Sequence, residues 1–349
     1  MKIGAVDLFC GIGGLTYGIQ QAGIKVVAGI DLDDTCKYSF EFNNKSSFIS
    51  KNISDTSGKE IKRMLRGYDV KVLVGCAPCQ PFSSHQKDKK DRKKHKDWSL
   101  LYHFARIVNE VKPHIVSMEN VPALEKEQVF LDFVDSLECN GYFVSYSIVN
   151  VADYGVAQSR RRLILLASKK KKIAIIPPNC NSSRINVQDI IGNLPPVNAG
   201  EVCIFDRLHQ APRLSEINIR RIQVSVPNGS WNDWPEDLIL KCHKKKTGKT
   251  YSSVYGRMAW DGLAPTITTQ FNCYGTGRFG HPTQNRALTL REGALLQSFP
   301  PSYVFVAENE PIFARLVSRH IGNAVPPKLG EVIGKSIILN LKKRKQKVD

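Results

Sequence analysis

Short apolar runs of strand length alternate with segments of helical spacing over the first half of the chain. The apolar runs predict strands at residues 3–8, 26–30, 70–74, 115–118, 142–149 and 163–167. The segments between them predict helices at residues 15–22, 35–42, 59–65, 100–111 and 130–137. Because βαβ units alternate strands and helices in this way, the pattern predicts an α/β fold with a mostly parallel, Rossmann-like sheet.

The alternation ends near residue 175. Beyond it, prolines and aromatic residues are scattered among polar residues up to about residue 280, which predicts a separate, loop-rich segment with short strands. Helical spacing returns at residues 292–297, 312–321 and 329–341. The second half is therefore expected to differ in architecture from the first.

The composition predicts a soluble, cytoplasmic protein with a polyanionic partner. Fifty Lys and Arg residues stand against 32 Asp and Glu residues, a formal net charge of +18. This balance favours nucleic acid, although a solvated basic surface would give the same count. No stretch approaches the roughly 18 apolar residues of a membrane span, and the N-terminus lacks the layout of a signal peptide.

The nine cysteines are odd in number and scattered along the chain, which is typical of a reducing compartment rather than of a disulfide framework. Only Cys76 and Cys79 lie close together. A structural zinc site usually needs a second close pair of Cys or His, so we expect no metal.

Cys79 lies just past the end of a predicted strand, in the segment Gly-Cys-Ala-Pro-Cys-Gln-Pro-Phe-Ser at residues 75–83. In doubly wound sheets, ligands bind outside the carboxyl ends of the strands, so a nucleophilic thiol is expected there. Three interpretations remain open from this segment alone. In the first, Cys79 is a nucleophile. In the second, Cys76 and Cys79 form a redox pair or half a zinc site. In the third, both thiols are simply small buried residues.

A glycine turn follows the first predicted strand, where residues 7–14 read Asp-Leu-Phe-Cys-Gly-Ile-Gly-Gly. Glycines at this place let backbone N–H groups and a helix N-terminus approach a ligand closely. Asp31 ends the second strand, where a carboxylate can accept hydrogen bonds from both ribose hydroxyls of a nucleoside cofactor. Because Asp7 would repel a pyrophosphate, the two residues fit S-adenosylmethionine better than NAD.

Three further fragments complete a series of motifs: Met-Glu-Asn-Val at 118–121, Gln-Ser-Arg-Arg-Arg at 158–162 and Gly-Asn-Ala-Val-Pro-Pro at 322–327. With the glycine turn and Pro78-Cys79-Gln80, they make the chain resemble the cytosine-C5 DNA methyltransferases of bacterial restriction-modification systems. The resemblance runs from about residue 6 to residue 341, and residues 286–300 resemble the family's ninth motif. Six motifs in the family's order are far more specific than any one of them.

The resemblance implies a class I S-adenosylmethionine-dependent methyltransferase domain with a smaller, loop-rich target-recognition domain. It assigns residues 1–178 to the catalytic and cofactor-binding domain and residues 179–280 to target recognition. Residues 281–345 then carry the ninth and tenth motifs and C-terminal helices that return to the catalytic domain. The implied cofactor-binding residues are Asp7, Phe9, Gly11, Gly13, Gly14, Asp31, Leu32, Asn52, Pro78, Leu100 and Asn323.

The resemblance also implies covalent catalysis by Cys79. Cytosine C5 is too electron-poor to attack a sulfonium methyl group unaided, so a thiolate first adds to C6. Glu119 is expected to hydrogen-bond the N4 amino group of the base and to share or donate a proton at N3. Arg160 or Arg162, and Arg162 in particular, is expected near the target base. Since C6 cannot be reached inside a duplex, the base must be flipped out.

Duplex DNA is the implied partner. Residues 82–98 resemble the family's mobile loop that closes over DNA, and residues 180–280 occupy the place of its target-recognition region. The candidate DNA-binding residues are Gln80, Ser83, Ser84, Lys87, Arg257, Asn272 and Arg278. The candidate phosphate contacts are Lys241, Lys244, Lys245, Lys246 and Lys249. For any single member of these sets, a solvated loop residue is the simpler interpretation.

Three positions depart from the commonest family pattern. Asp31 stands where glutamate is usual, and Leu32 stands where many members stack an aromatic ring. Asn52 stands where an aspartate usually accepts from the adenine amino group, and its carbonyl oxygen can still accept. The loop after Phe82 also lacks the glycines often found there.

We therefore expect a monomeric DNA (cytosine-5)-methyltransferase that uses S-adenosylmethionine and acts beside a cognate restriction endonuclease. One alternative is a tRNA methyltransferase with the same motifs, against which the long region 180–280 argues. The other is a thiol–disulfide protein, which leaves the glycine turn, Glu119 and Arg162 unexplained. In the methyltransferase interpretation, Cys76 is a small residue packed behind the strand end, and replacing it with Ser is tolerated.

Overall fold

The computed structural model describes residues 1–78, 99–179, 184–245 and 247–342. The strands are β1 (Ile3–Leu8), β2 (Lys25–Asp31), β3 (Ser47–Ser50), β4 (Val70–Gly75), β5 (Ile115–Asn120), β6 (Phe143–Asn150), β7 (Arg161–Ser168), β8 (Val202–Cys203) and β9 (Asp206–Gln210). The α-helices are α1 (Gly14–Gln21), α2 (Lys37–Asn44), α3 (Gly58–Met64), α4 (Leu100–Val111), α5 (Gln128–Cys139), α6 (Val187–Ile191), α7 (Glu216–Val224), α8 (Leu290–Leu296), α9 (Ala314–Asn323) and α10 (Pro327–Lys342).

A seven-stranded sheet with the order β3-β2-β1-β4-β5-β7-β6 forms the centre of the molecule. The first five strands in this order are parallel, and β7 runs antiparallel to both β5 and β6. The prediction of an α/β fold with a mostly parallel sheet is confirmed. The strand order reverses between β1 and β4, where Leu8 pairs with Gly75 at the carboxyl ends. Ligands bind at such a switch point.

Both faces of the central strands are buried, which explains why the sequence predicted them. Along β4, Leu73 enters one hydrophobic cluster, whereas Val72 and Val74 enter the cluster on the opposite face. A strand buried on both faces is a continuous apolar run, and such runs are easily recognised. The four-residue edge strand β3 carries only Phe48 and Ile49 between two serines, and its pattern predicted no strand.

The C-terminal helix α10 packs along α1. Leu329 and Ile333 enter the same hydrophobic cluster as Ile19 of α1. The two backbones approach so closely at Gly18 that a Cβ atom there would lie 2.0 Å from the Pro327 carbonyl oxygen. The end of the chain therefore becomes part of the layer that covers the sheet beside the glycine turn.

Between β7 and α8, the chain forms short elements joined by loops, in agreement with the predicted loop-rich segment. Strands β8 and β9 form a two-stranded ribbon, and a separate hydrophobic cluster gathers around Trp231, Trp234 and Tyr274. The helices α6 and α7 in this region were not predicted. None of the described helices has both the length and the apolar character of a membrane span.

Candidate active site

The glycine turn lies at the carboxyl end of β1 and leads into α1. Phe9, Gly11 and Gly13 have positive φ angles of 61°, 49° and 89°. At Gly13 a Cβ atom would lie 2.3 Å from Asn44 Nδ2, so both the backbone conformation and the packing require glycine. The Gly11 N–H donates to Asp31 Oδ2 at 2.8 Å, which joins the turn to the end of β2.

Two carboxyl groups, Asp31 and Asp7, lie at this turn. Asp31 Oδ1 accepts from the Asp33 N–H at 2.9 Å, and burial raises the pKa of Asp31. Asp7 is fully buried; its Oδ2 accepts from the Thr16 hydroxyl at 2.6 Å, and its Oδ1 has no hydrogen-bond partner among the described residues. Burial, followed by the charge of Asp31, raises the pKa of Asp7 to about 7, although the Thr16 bond opposes this. A cationic group bound here would stabilise both carboxylates.

Glu119 stands at the end of β5 and is only 2% exposed. Its Oε1 lies 2.9 Å from Arg162 Nε on β7, and its Oε2 accepts from the Cys76 thiol at 2.7 Å just beyond β4. Three neighbouring strands thus place a carboxyl group, a guanidinium and a thiol in contact. Sequence reasoning expected both Glu119 and Arg162 near the target base, but it predicted neither their pairing nor the contact with Cys76.

A second set of hydrogen bonds fixes the segment that leads to Cys79. Asn120 Nδ2 donates to the Ala77 carbonyl oxygen at 3.0 Å, and the Cys76 N–H donates to the Leu8 carbonyl oxygen at 3.3 Å. Pro78 follows, half-buried. The predicted nucleophile Cys79 lies outside the described residues, as do the candidate DNA contacts Gln80, Ser83, Ser84 and Lys87.

A sequence profile of the C-5 cytosine-specific DNA methylases matches residues 3–339. The chain belongs to this family. It is 52% identical over 340 residues to the Type II methylase M.HgiDII of Herpetosiphon aurantiacus, covering 96% of this chain and 95% of that protein. It is 29% identical over 385 residues to the Type II methyltransferase M.XorII of Xanthomonas oryzae pv. oryzae, covering 98% and 86%. A crystal structure described as a DNA modification methyltransferase from an E. coli prophage shares the fold, with a TM-score of 0.74, 22% identity and coverage of 97% and 99%.

The chain is thus a DNA (cytosine-5)-methyltransferase, and this family uses S-adenosylmethionine. The glycine turn fits that cofactor. The Asp7 oxygen that lacks a partner among the described residues suits a ligand with positively charged sulfonium and ammonium groups, and the expected contact of Asp31 with the ribose hydroxyls stays a prediction. The expected repulsion of phosphate by Asp7 stays a prediction.

The other residues that are expected to contact the cofactor differ in exposure and in hydrogen bonding. Leu32, next to Asp31, is 66% exposed, so an apolar surface is available where the family often stacks a ring. The Asn52 side-chain oxygen already accepts from the Ser54 N–H at 3.1 Å, which leaves its second lone pair for an adenine amino group. Leu100 is half-buried at the start of α4, and Asn323 is exposed at the end of α9. Their contacts with the cofactor stay predictions.

The structure corrects the expectation that Arg160 acts beside Arg162. Arg160 is 3% exposed, and its guanidinium donates to the carbonyl oxygens of Ile267 at 2.8 Å and Gly322 at 3.1 Å. It also donates to the Ala324 carbonyl oxygen at 3.3 Å. The Arg160 side chain therefore joins the start of β7 to the segments around residues 267 and 322–324, whereas Arg162 contacts Glu119.

Arg257, an expected base contact, is also corrected. It is 4% exposed and donates to four backbone carbonyl groups and to Asn285 Oδ1, so its guanidinium is used inside the protein. Asn272 and Arg278 are half-buried, and Arg278 Nε has no hydrogen-bond partner among the described residues. Both stay candidates for DNA contacts.

The described lysines among those expected to contact phosphates lie close together along the chain. Lys241, Lys244 and Lys245 are exposed, and Lys244 pairs with Glu236 at 3.2 Å. Lys246 lies outside the described residues, and the side chain of Lys249 is not described. Exposed lysines here are compatible with phosphate contacts and with a solvated loop.

Two residues of the site were missed by sequence reasoning. Thr16 breaks the glycine fingerprint of dinucleotide-binding proteins, and in the structure it is the hydrogen-bond donor to Asp7. Asn120 follows Glu119 and fixes the Ala77 carbonyl group. The signal for Thr16 was a polar residue at a buried helix position, and the signal for Asn120 was its place beside the acid.

A cluster of metal-ligand type lies beside the cofactor turn. Atoms of Asp33, Cys36 and His320 lie within 4.8 Å of one another. Asp33 Oδ2 pairs with Arg319 at 2.9 Å, and His320 Nε2 lies 3.0 Å from the Thr35 hydroxyl. These contacts join α9 to the end of β2 and account for the cluster without an ion.

Proposed function

We propose that this methyltransferase methylates C5 of a cytosine flipped out of a specific short duplex sequence, through a covalent bond between Cys79 and C6. S-adenosylmethionine supplies the electrophilic methyl group. The observation that carries the proposal is the Glu119 carboxyl group, buried at the end of β5 and held by Arg162 and Cys76 beside the chain that leads to Cys79. A buried carboxyl group held in this way can recognise and protonate a base edge.

The Cys79 thiolate adds to C6 of the base, and the electron pair of the C5–C6 bond moves toward N3. Glu119 receives a hydrogen bond from the N4 amino group and donates a proton at N3, which removes the charge that the addition creates. Arg162 holds Glu119 Oε1 at 2.9 Å and supplies positive charge near the same edge. After C5 has been methylated, loss of its proton to a base restores the C5–C6 double bond and expels the Cys79 thiolate, and the proton on N3 returns to Glu119.

Asn120 and the first residues after β4 prepare the nucleophile. The hydrogen bond from Asn120 to the Ala77 carbonyl oxygen joins the segment before Cys79 to the residue after Glu119. A nucleophile and an acid carried by adjacent strand ends can meet two atoms of one aromatic ring. Cytosine C6 and N3 are such a pair.

We propose that the protein methylates DNA as a monomer in the bacterial cytoplasm, as the methylase of a restriction-modification system with a cognate endonuclease. The names of its relatives as Type II methylases support the restriction-modification assignment. Exposed Lys241, Lys244 and Lys245 support a polyanionic partner, and Asn272 and Arg278 are the described candidates for base contacts. We expect the Rossmann-like domain over 1–178, the target-recognition domain over 179–280 and the C-terminal helices over 281–345 to cooperate in this reaction.

The test is transfer of labelled methyl groups from S-adenosylmethionine to duplex DNA and to tRNA, followed by bisulfite mapping. We expect label at cytosine C5 in one short DNA sequence, loss of activity in Cys79→Ser, and full activity in the matched control Cys139→Ser, whose thiol is exposed. Undiminished transfer by Cys79→Ser would contradict the covalent step. Preferred labelling of tRNA would contradict the substrate class.

A further inference from the structure

The Glu119 carboxyl group has a different anchor on each oxygen. Arg162 Nε lies 2.9 Å from Oε1, and the Cys76 thiol donates to Oε2 at 2.7 Å. Arg162 belongs to β7 and Cys76 follows β4, so the anchors approach Glu119 from the strands on either side of β5. Among the described residues, these are the side chains in polar contact with this carboxyl group.

A carboxyl group needs two anchors to be held in one plane. The terminal torsion of glutamate is broad, so one ion pair to Oε1 would leave the plane and Oε2 free to rotate. Recognition of a flat base edge depends on that plane, because both N3 and the N4 amino group must meet the carboxyl group. A donor to Oε2 removes this freedom.

A thiol is suited to a carboxyl group that gains and loses a proton. When Glu119 is ionised, the Cys76 S–H donates to Oε2; when Glu119 is protonated at Oε2, the sulfur can accept from that O–H until the base binds and N3 takes its place. A lysine or arginine at this place could only donate and would add a second positive charge. Cys76 is half-buried, and its N–H is fixed to the Leu8 carbonyl oxygen, so the thiol is carried by constrained backbone.

We propose that Cys76 is a positioning residue that holds Oε2 of Glu119 in the plane in which the carboxyl group meets the cytosine. This rests on the proposed role of Glu119 in methyl transfer. It replaces the expectation that Cys76 only fills space behind the strand end and that its replacement has no effect. It also differs from a redox role, since it requires the reduced thiol in contact with Glu119.

The experiment compares Cys76→Ala with Cys76→Ser, which are nearly equal in size and differ by one hydroxyl group. We expect Cys76→Ala to lower kcat about 10-fold with the KM for DNA changed less than about twofold, because the anchor acts on the acid and not on DNA. Cys76→Ser should recover kcat to within about threefold of the wild type, since its hydroxyl can donate and accept. Cys139→Ala is the matched control and should retain the wild-type kcat and KM.

Equal kcat values for the Ala and Ser variants would overturn the proposal. If both equal the wild type, Cys76 is packing alone; if both are equally impaired, the size or redox chemistry of the thiol matters. Thermal unfolding of each variant shows that the rates refer to folded protein, and should Cys76→Ala not fold, Cys76→Val supplies the variant without a donor. Failure of the wild type to methylate cytosine C5 would instead contradict the proposed function.

Discussion

Burial decides what each charged residue of the site can do. Glu119 and Asp7 are both buried, yet Glu119 is paired with Arg162, whereas one Asp7 oxygen has no partner among the described residues. Arg160 and Arg162 stand two positions apart, but Arg160 donates to distant backbone carbonyl groups. One arginine motif therefore supplies one side chain that binds distant backbone and one, Arg162, that we propose acts in catalysis.

The two arginines should respond differently to truncation. Arg160→Ala leaves buried carbonyl groups without their donor, so we expect the free energy of unfolding to fall by about 2–4 kcal/mol. Arg162→Ala removes the charge beside Glu119, so we expect kcat to fall at least about 100-fold. Urea unfolding and rates at saturating substrate, measured where both variants are folded, provide the comparison. A stable but inactive Arg160→Ala protein would contradict the assignment.

Asp7 should make the stability of the cofactor-free protein depend on pH. Its pKa is raised from 3.8 to about 7 in the folded state, so between these values the folded protein binds the additional proton. The stabilisation from this proton is complete below pH 3.8 and is lost as the pH rises through about 7. The Asp7→Asn variant lacks this loss. Between pH 5 and pH 8, we therefore expect the free energy of unfolding of Asp7→Asn to rise by about 2 kcal/mol relative to that of the wild type.

Urea unfolding at the two pH values, without cofactor, measures this gain. The same substitution should weaken binding of S-adenosylmethionine, because the positive ligand loses a carboxylate partner. Binding can be followed by calorimetry, independently of catalysis. Parallel stability profiles for the wild type and Asp7→Asn would show that Asp7 is ionised throughout this range.

At the scale of elements, α10 packs on α1 and covers the sheet beside the glycine turn. Helix α10 is contributed by the last described residues, whereas α1 follows the first strand. Its apolar residues share a cluster with α1 and with β4, and the glycine turn that begins α1 is the expected cofactor site. Loosening this contact should therefore affect both stability and cofactor binding.

Gly18→Ala tests this contact. In an exposed helix, Gly to Ala would stabilise by up to about 1 kcal/mol. Here the new methyl group would lie 2.0 Å from the Pro327 carbonyl oxygen and 2.5 Å from the Glu331 nitrogen, so the helices must separate. We expect the unfolding free energy to fall by about 2 kcal/mol or more. Gly262→Ala is the control, because its nearest contact would be 4.0 Å away, and a similar loss there would contradict this explanation.

The elements that could be predicted from the sequence are those whose signal is local. Strands such as β4 are apolar on both faces, and the motif order placed Glu119 and Arg162 in one site. The antiparallel direction of β7 and the short β3 depend on tertiary pairing and left no local pattern. The burial of Arg160 could not be predicted either, because its acceptors Ile267 and Gly322 lie 107 and 162 residues away.

At the scale of the whole molecule, the site depends on distant parts of the chain. Gln158, before β7, donates to the Leu296 carbonyl oxygen and to Gln297 Oε1. Together with Arg160, it connects the strand that carries Arg162 to the C-terminal helices. The net charge of +18 gives the assembled molecule an attraction for a polyanion. The motifs and their order could therefore be recognised from the sequence. Which of their side chains lie at the candidate active site depends on how the chain folds.

The central claim is that Cys79, and not Cys76, attacks the cytosine. Duplex DNA with 5-fluorocytosine at the target position tests it most directly, because fluorine cannot leave C5 as a proton does and the adduct persists. We predict a denaturant-resistant complex that requires S-adenosylmethionine, with the nucleotide attached to Cys79 by peptide mass spectrometry. It should be absent in Cys79→Ser and present in Cys76→Ser. An adduct on Cys76, or methylation of ordinary cytosine without any trapped complex, would contradict the claim.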